Sequence, residues 1–460
     1  MPLRGHKLSV AQLALVVAPS FVLFGYNQAG VGGLLSLPNW TKTFPEIDTT
    51  NTTGAEKSHN ATIQGTVVAT FVLGALVGSL ACMKIGNILG RRKSIFLAAT
   101  LTLIGEALCT SSFGLPQFIV GRTIIGLGIG ILSATVPVWQ AECSSAANRG
   151  KHVVLDGLFM TLGYTLESWI NLGASQIKSG PNISASWRMP LGIPLALSLL
   201  LMGTIFTMPE SPRWLISVNR VEEARTILAN LKDTSVTDSL ITAEIEGIQY
   251  SLEESTVKKA SIADMFTMGP EKLFYRFCLC ILLQFYQQMM GSCMLALAIA
   301  TSYPKENKSA GIASVCFVFL FNFFVPIGFL GANFLYCAEV APVKLRVSMA
   351  AISTANHWLW NFVVVMATPV AIASIGNYYF VLFCVISFCI PLSVYFFYPE
   401  TMGQSLEQID AVFRDNRTPL TIVRASKLLA KGDVGAIYRE KQEEKMVENV
   451  IASKDDRERV

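Results

Sequence analysis

Arg122, Glu142 and Arg149 bracket the apolar stretch GRTIIGLGIGILSATVPVWQAECSSAANRG, residues 121–150. An ionisable group in or beside hydrocarbon costs on the order of 2.5 to 3.5 kcal/mol on insertion scales, so it is usually kept for a polar pathway or a partner. Three of them around one span mark either a moving part or an ordinary buried helix with charged ends. Gly126, Gly128 and Gly130 give the span a smooth face that another helix can approach closely. Glu210 with Arg213 and Glu339 with Arg346 stand, like Glu142 with Arg149, at the ends of apolar runs. Opposite charges that bridge helices in one conformation and part in another form a bistable gate. Exposed pairs contribute about 0 to 1 kcal/mol each, so only a network could bias the state. The plainer reading is solvated charge at helix ends. Gln287 and Gln288, adjacent amides deep in another apolar run, need hydrogen-bond partners there. No nucleophile, base and metal cluster shares a site, which argues against an enzyme and leaves no cofactor or metal to expect.

The elements that position these residues follow from composition. Of 460 residues, 52% are hydrophobic and 15% charged, which is the balance of a polytopic membrane protein and not of a soluble domain. A net charge of +4 spread along the chain is too small to argue for nucleic acid. The ten cysteines lie in or beside apolar runs without metal-ligand spacing and read as small core residues. Runs of roughly 20 apolar residues place spans near 13–37, 63–86, 94–113, 118–140, 152–174, 188–208, 274–301, 311–336, 348–373 and 377–398.

Lys and Arg set the orientation. Arg4, Lys7, Lys84 to Lys93, Arg149, Lys151, the 209–273 loop, Lys344, Arg346 and the basic tail fall on one side, which the positive-inside rule makes cytoplasmic. Glycosylation sequons at Asn51, Asn60, Asn182 and Asn307 fall on the other. The organisation is then a six-span bundle over 1–208, a cytoplasmic loop over 209–273, a second bundle over 274–399 and a cytoplasmic tail over 400–460. Within the loop, RVEEARTILANL and TAEIEGIQYSLEES carry apolar residues at helical spacing. The tail opens on a helix-like SLEQIDAVF and ends as a charged stretch without an assigned fold.

PESPRWL at 209–215 and PETMGQSLE at 399–407 repeat Pro and Glu after a span. With FGYNQAGVGG at 24–33, GRRK at 90–93, GRTIIGLGIG, PVWQAE followed by RG, QQMMG at 287–291 and AEVAPVKLR at 338–346, the chain resembles the sugar porters of the major facilitator superfamily, most closely the fungal ones. The resemblance covers the chain to about residue 413. It implies an all-α polytopic membrane protein of the major facilitator fold in a plasma membrane, a monomer whose partners are a small solute and the bilayer. It also implies that Arg91, Arg92, Arg122, Glu142, Arg149, Glu210, Arg213, Glu339 and Arg346 form the cytoplasmic lock of alternating access. Two family charges are missing from that lock, where Asn87 and Ile88 stand.

By the same resemblance the solute lies near midplane between the halves, with Gln287, Gln288, Phe334, His357, Trp358 and Asn361 at binding positions. Sugar hydroxyls suit the two amides, although helix-to-helix bonding would also satisfy them. Cys293, Phe334, His357 and Gly157 replace family polar or stacking residues, which predicts a modified sugar or an amphipathic solute over plain glucose. Asn27 stands where proton-coupled relatives carry Asp and cannot titrate, so facilitated transport is expected. Asp156, Glu106, Glu167 and His357 are acids or bases within spans that could substitute, though structural hydrogen bonding is the simpler role for each. A natural-product exporter and a non-transporting sugar sensor are the alternatives on the same fold.

The seventh run begins like the family's seventh span and ends like its ninth, with GSCMLALAIATSYPKENKSAG directly after QQMM. An eighth span and a second GRR loop are missing from the pattern. The second bundle is thereby shortened to roughly four spans, in phase with the topology but unmatched to the first. A carrier that rocks matched halves is expected to transport poorly without it, whether the chain is a mis-joined gene model or a degenerate relative.

Overall fold

The computed structural model describes residues 3–431, apart from 36, 145, 178–183, 258–261, most of 291–328, 344, 377 and 417. Among the described residues the regular elements are all helical. The first, α1 (Gly5–Ala29), begins and ends earlier than the span expected at 13–37. Its start takes in polar His6, Lys7 and Gln12, and Gly30, Gly32 and Gly33 close it. A short α2 (Pro38–Thr43) follows, seating Trp40 and Phe44 against Phe118 and Trp187.

The next helix, α3 (Gly54–Thr110), holds 57 residues, about 85 Å at 1.5 Å per residue and far more than one crossing. It folds at Gly90, whose φ of 79° and ψ of −177° belong to a region essentially open to glycine alone. The expected spans at 63–86 and 94–113 are thus its two limbs, and GRRK is a corner instead of a loop. After it, α4 (Leu115–Cys143) lies against the first limb with backbones almost touching. A Cβ on Gly126 or Gly130 would stand 2.1 Å from the carbonyl of Phe71 or Ala75. The smooth glycine face is therefore a real contact surface.

Then come α5 (Ala146–Ala174) and α6 (Ala185–Thr207), completing six crossings counted through the Gly90 corner. Past them, α7 (Pro212–Ser217), α8 (Val221–Lys232) and α9 (Ser239–Val257) bury Leu215, Ala224, Leu228, Ile241, Ile245 and Ile248 together, as their amphipathic spacing predicts.

In the second half are α10 (Leu273–Met289), α11 (Ala332–Val340), α12 (Arg346–Ile375) and α13 (Tyr378–Phe397). The expected junction of the missing hairpin falls mostly outside the described residues. In the tail, α14 (Leu406–Asp415) is started by Ser405 in a capping box with Gln408. It buries Leu406, Ile409, Val412 and Phe413 in one cluster with Leu279, Val340 and Met349. A further helix, α15 (Pro419–Ala430), capped by Thr418, is not legible as an apolar run. The tail thus starts as part of the second bundle's core; residues 432–460 lie outside the described residues.

The two halves meet along a seam of small residues. Ala134, Val138, Ala141 and Cys82 pack against Ala338, Val347, Ala350 and Ala351. Small side chains let the helices close tightly here. Five of the described helices are long and apolar enough to cross a membrane, and the chain is a multi-pass membrane protein.

Candidate functional site

At the end of the seam where α4 stops, Glu142 gathers charges from both halves. Arg91, just past the Gly90 corner, donates Nε and Nη2 to it at 2.8 and 3.0 Å. Arg346 of α12 stands 3.7 Å away, and Ser211 Oγ donates at 2.6 Å. All these charged groups are buried, so the pairing is undiluted by water and the loss of one partner would strand the others.

One expected pairing is corrected. Glu210 does not bridge to Arg213; it accepts the backbone N–H groups of Arg91 at 3.0 Å, Arg92 at 3.2 Å and Ser211 at 2.9 Å. The corner at Gly90 frees the Arg91 and Arg92 N–H groups, and a carboxylate satisfies several at once. Arg213 instead holds Glu407 of α14 at 2.6 Å, tying the loop to the tail. Burial by itself would push the Glu407 carboxyl up, but the Arg213 guanidinium outweighs it and holds the group down at about 2. Arg346 engages Glu142 and the Ala341 carbonyl. Arg92 adds a hydrogen bond to the Phe206 carbonyl. Glu339 is buried on α11, and the side chain of Arg149 lies outside the described residues.

Arg122 does not belong to this lock. It sits twenty residues before Glu142 on one continuous helix, about 30 Å along the axis, at the other end of the bundle. There its Nη1 donates to the Asn27 carbonyl at 3.0 Å, and its guanidinium lies 4.5 Å from the Phe71 ring. Asn27 Nδ2 in turn donates to Glu106 Oε1 at 3.0 Å, and Ser198 Oγ to Glu106 Oε2 at 2.8 Å.

Between the halves is a cavity of about 1150 Å³, at the large end for a small-molecule site. One wall is polar. Tyr164 on α5 donates to Gln28 Oε1 of α1 at 2.8 Å, and across from them Gln287, Gln288, His357 and Asn361 line the other half. His357 Nδ1 lies 2.9 Å from Gln287 Oε1. With the proton on that nitrogen, Gln288 Nε2 donates to His357 Nε2 at 3.3 Å and Gln288 Oε1 accepts from Asn361 at 3.2 Å. The four side chains thus hold one another in a chain of bonds that hydroxyl groups could replace one for one. The other wall is aromatic, with Trp169, Phe323, Phe380 and Phe383.

Phe334 and Trp358 were expected in this wall and are not. Both are buried behind it. Trp358 sets its ring edge-on to Phe24 at 5.1 Å and donates to Ser133 Oγ at 3.3 Å, and Phe334 packs on His357 at 5.1 Å. They brace Phe24 and His357, which do reach the cavity. Thr161, Tyr164, Thr165 and Ser168, which line it from α5, escaped the sequence reading. Their signal was a polar stripe at three- and four-residue spacing inside an apolar span.

Of the described sequons, Asn51 is exposed. Asn60 is buried and its amide nitrogen donates to the Asp48 carbonyl at 2.9 Å, which removes the access an acceptor needs. Asn182 and Asn307 lie outside the described residues.

Comparison with known proteins agrees with this architecture. The model of the family "Sugar (and other) transporter" matches residues 13–295 and 289–413. The sugar transporter STL1 of Saccharomyces cerevisiae is 30% identical over 475 positions, covering 89% of this chain and 82% of that protein. A major facilitator superfamily transporter of Aspergillus fumigatus, mfsA, is 28% identical, with 89% and 86% covered. Among solved structures, the proton:xylose symporter XylE bound to 6-bromo-6-deoxy-D-glucose superposes with a TM-score of 0.71 at 21% identity, over 88% of this chain and 99% of that one. The fold is thus that of the major facilitators. With the family model spanning most of its length, the chain belongs to the sugar transporter family of that superfamily.

Proposed function

We propose that this chain is a carrier, not an enzyme, that moves a sugar or sugar-like solute by alternating access. The observation that carries the reading is the cavity between the halves, lined by Gln28, Tyr164, Gln287, Gln288, His357 and Asn361, together with the Glu142 lock that closes one end. The basic end is cytoplasmic, in keeping with the charge bias, and Arg91, Glu142, Arg346, Glu210, Arg213 and Glu407 hold it shut in the conformation described. The aromatic wall suits a solute with an apolar face, such as a modified sugar. Asn27 cannot exchange a proton, so the solute runs down its own gradient.

The second bundle lacks a hairpin. The family model matches in two pieces that overlap at 289–295, and the 475-position alignment to STL1 takes in only 89% of this chain's 460 residues, which leaves tens of positions as gaps on this side; both support the reading.

Binding tests the site without requiring transport. A ligand that binds the folded state raises its stability by about 2.7 kcal/mol at a hundred times Kd. Purified chain should show a rise in Tm with at least one member of a panel of sugars, polyols and glycosides. A panel without effect, or an effect that survives replacement of both Gln287 and Gln288 by Leu, would overturn the assignment.

A further inference from the structure

Asp156 of α5 is fully buried, and one bond ties it to α4, from Gln140 Nε2 to Asp156 Oδ1 at 3.1 Å. The two remaining polar atoms of the pair, Asp156 Oδ2 and Gln140 Oε1, have no partner. A carboxyl and an amide are both planar groups with two heteroatoms on one carbon, so a pair already joined by one bond can close a second when its remaining atoms turn toward each other. With Asp156 ionised, the remaining atoms are two buried acceptors with no donor between them, each carrying the cost of an unmade bond. Turning the Gln140 amide over exchanges its two atoms and leaves the same deficit. One proton removes it: Oδ2–H donates to Oε1, and both orphaned atoms are satisfied together.

We propose that Asp156 and Gln140 form a proton-binding site, an acid–amide pair that joins α5 to α4 two residues from Glu142. A metal cation is the rival occupant. Hard cations take six or more oxygens, whereas the unpartnered atom that Gln12 adds nearby is Nε2, a donor of the wrong polarity. The site is separate from the solute cavity. A small cavity of about 10 Å³ beside Gln140, where Gln12, Ser144 and His152 stand among apolar Leu13, Val17 and Trp139, has room for about one water.

Most titratable groups on the surrounding helices are engaged elsewhere or lie at the surface. Glu142 on α4 is held by Arg91, Tyr26 on α1 donates to the Pro190 carbonyl, and Arg188 on α6 donates to the Thr110 and Ser112 carbonyls. His6 and Lys7 on α1 are exposed. On α5 itself, Glu167 is bonded to Asn171, and His152, one turn before Asp156, is within 3.0 Å of Ser144 Oγ. Cys143 ends α4, and Glu339 is carried by α11. The proton comes from solution on the basic side and returns there, so the pair reports the pH of that side and carries nothing across.

The carrier reading is not needed for the test. Infrared difference spectra of the reconstituted chain over a pH titration should contain a protonated-carboxyl band that Asp156→Asn abolishes and Gln140→Leu shifts to higher frequency, because its hydrogen bond is lost. If Asp156→Asn fails to fold, Gln140→Leu decides alone. A spectrum unchanged in either variant overturns the proposal. Loss of the band on adding sodium at fixed pH also overturns it and gives the site to a cation.

Discussion

Gln288 joins His357 to Asn361 along one side of the cavity, so its replacement tests the site at a single residue. A neutral hydrogen bond contributes about 0.5 to 1.5 kcal/mol net, or roughly 3- to 10-fold in affinity. Gln288→Leu should weaken solute binding by that factor in a Tm titration, and an unchanged affinity would remove the residue from the site. Glu142 makes a harsher case. Glu142→Gln leaves Arg91 and Arg346 buried without their counter-charge, which costs about 3 to 5 kcal/mol. The variant should lose stability and open the basic end, read as faster labelling of the buried Cys82 in the seam by a membrane-impermeant maleimide. Labelling at the wild-type rate would mean that Glu142 is no lock. At Asn27 the expectation concerns coupling: uptake should be unaffected by a protonophore, and accumulation that collapses with the proton gradient would contradict the facilitative reading. Residue roles were only partly legible in the sequence. Gln287 and Gln288 stood out because adjacent amides in hydrocarbon need partners, whereas His357 and Asn361 were named by the resemblance; all four line one cavity. Phe334 and Trp358 were misplaced by one layer, since a resemblance names positions on a helix without saying which side chains reach the cavity. Arg122 was grouped with Glu142 by the resemblance, although the twenty residues between them on one helix carry it to the other end of the bundle.

At the scale of elements, the first six spans were legible because a run of about twenty apolar residues has one common explanation, and there the structure shifts ends; the expected 311–336 span falls mostly outside the described residues. The Gly90 corner was not legible. GRRK reads as a loop by charge, and only the conformation of one glycine shows that the helix folds there and that Glu210 caps the exposed N–H groups. Nor was α15, whose short amphipathic pattern lacks a span's length. The Arg213–Glu407 contact between loop and tail has a pH signature. Glu407 is held at about 2, below its ordinary 4.5, so its contribution is fully present above about pH 4.5 and is lost as pH falls through about 2. Energy transfer between labels on α8 and α14 should stay constant from neutral pH to about 4.5 and fall below it. Glu407→Gln should weaken docking and remove that transition. The same acid transition in the variant would assign it to another group.

On the scale of the whole molecule, the claim is that a solute cavity lies between two bundles of unequal size and that the missing hairpin limits its turnover. The first bundle has six crossings around tightly packed glycines, while the described part of the second offers α10, α11, α12 and α13. Rocking motions need matched halves, so the deficit belongs to turnover more than to folding or membrane insertion, whose parity is preserved. The most direct measurement is uptake of a labelled sugar panel in a transport-null cell, comparing this chain with a version in which a relative's hairpin is inserted at 289–295. The account predicts saturable uptake by the restored chain and less than about a tenth of that rate from the chain as written, a barrier difference of about 1.4 kcal/mol or more. Equal saturable uptake by both would contradict the claim and show that four spans suffice.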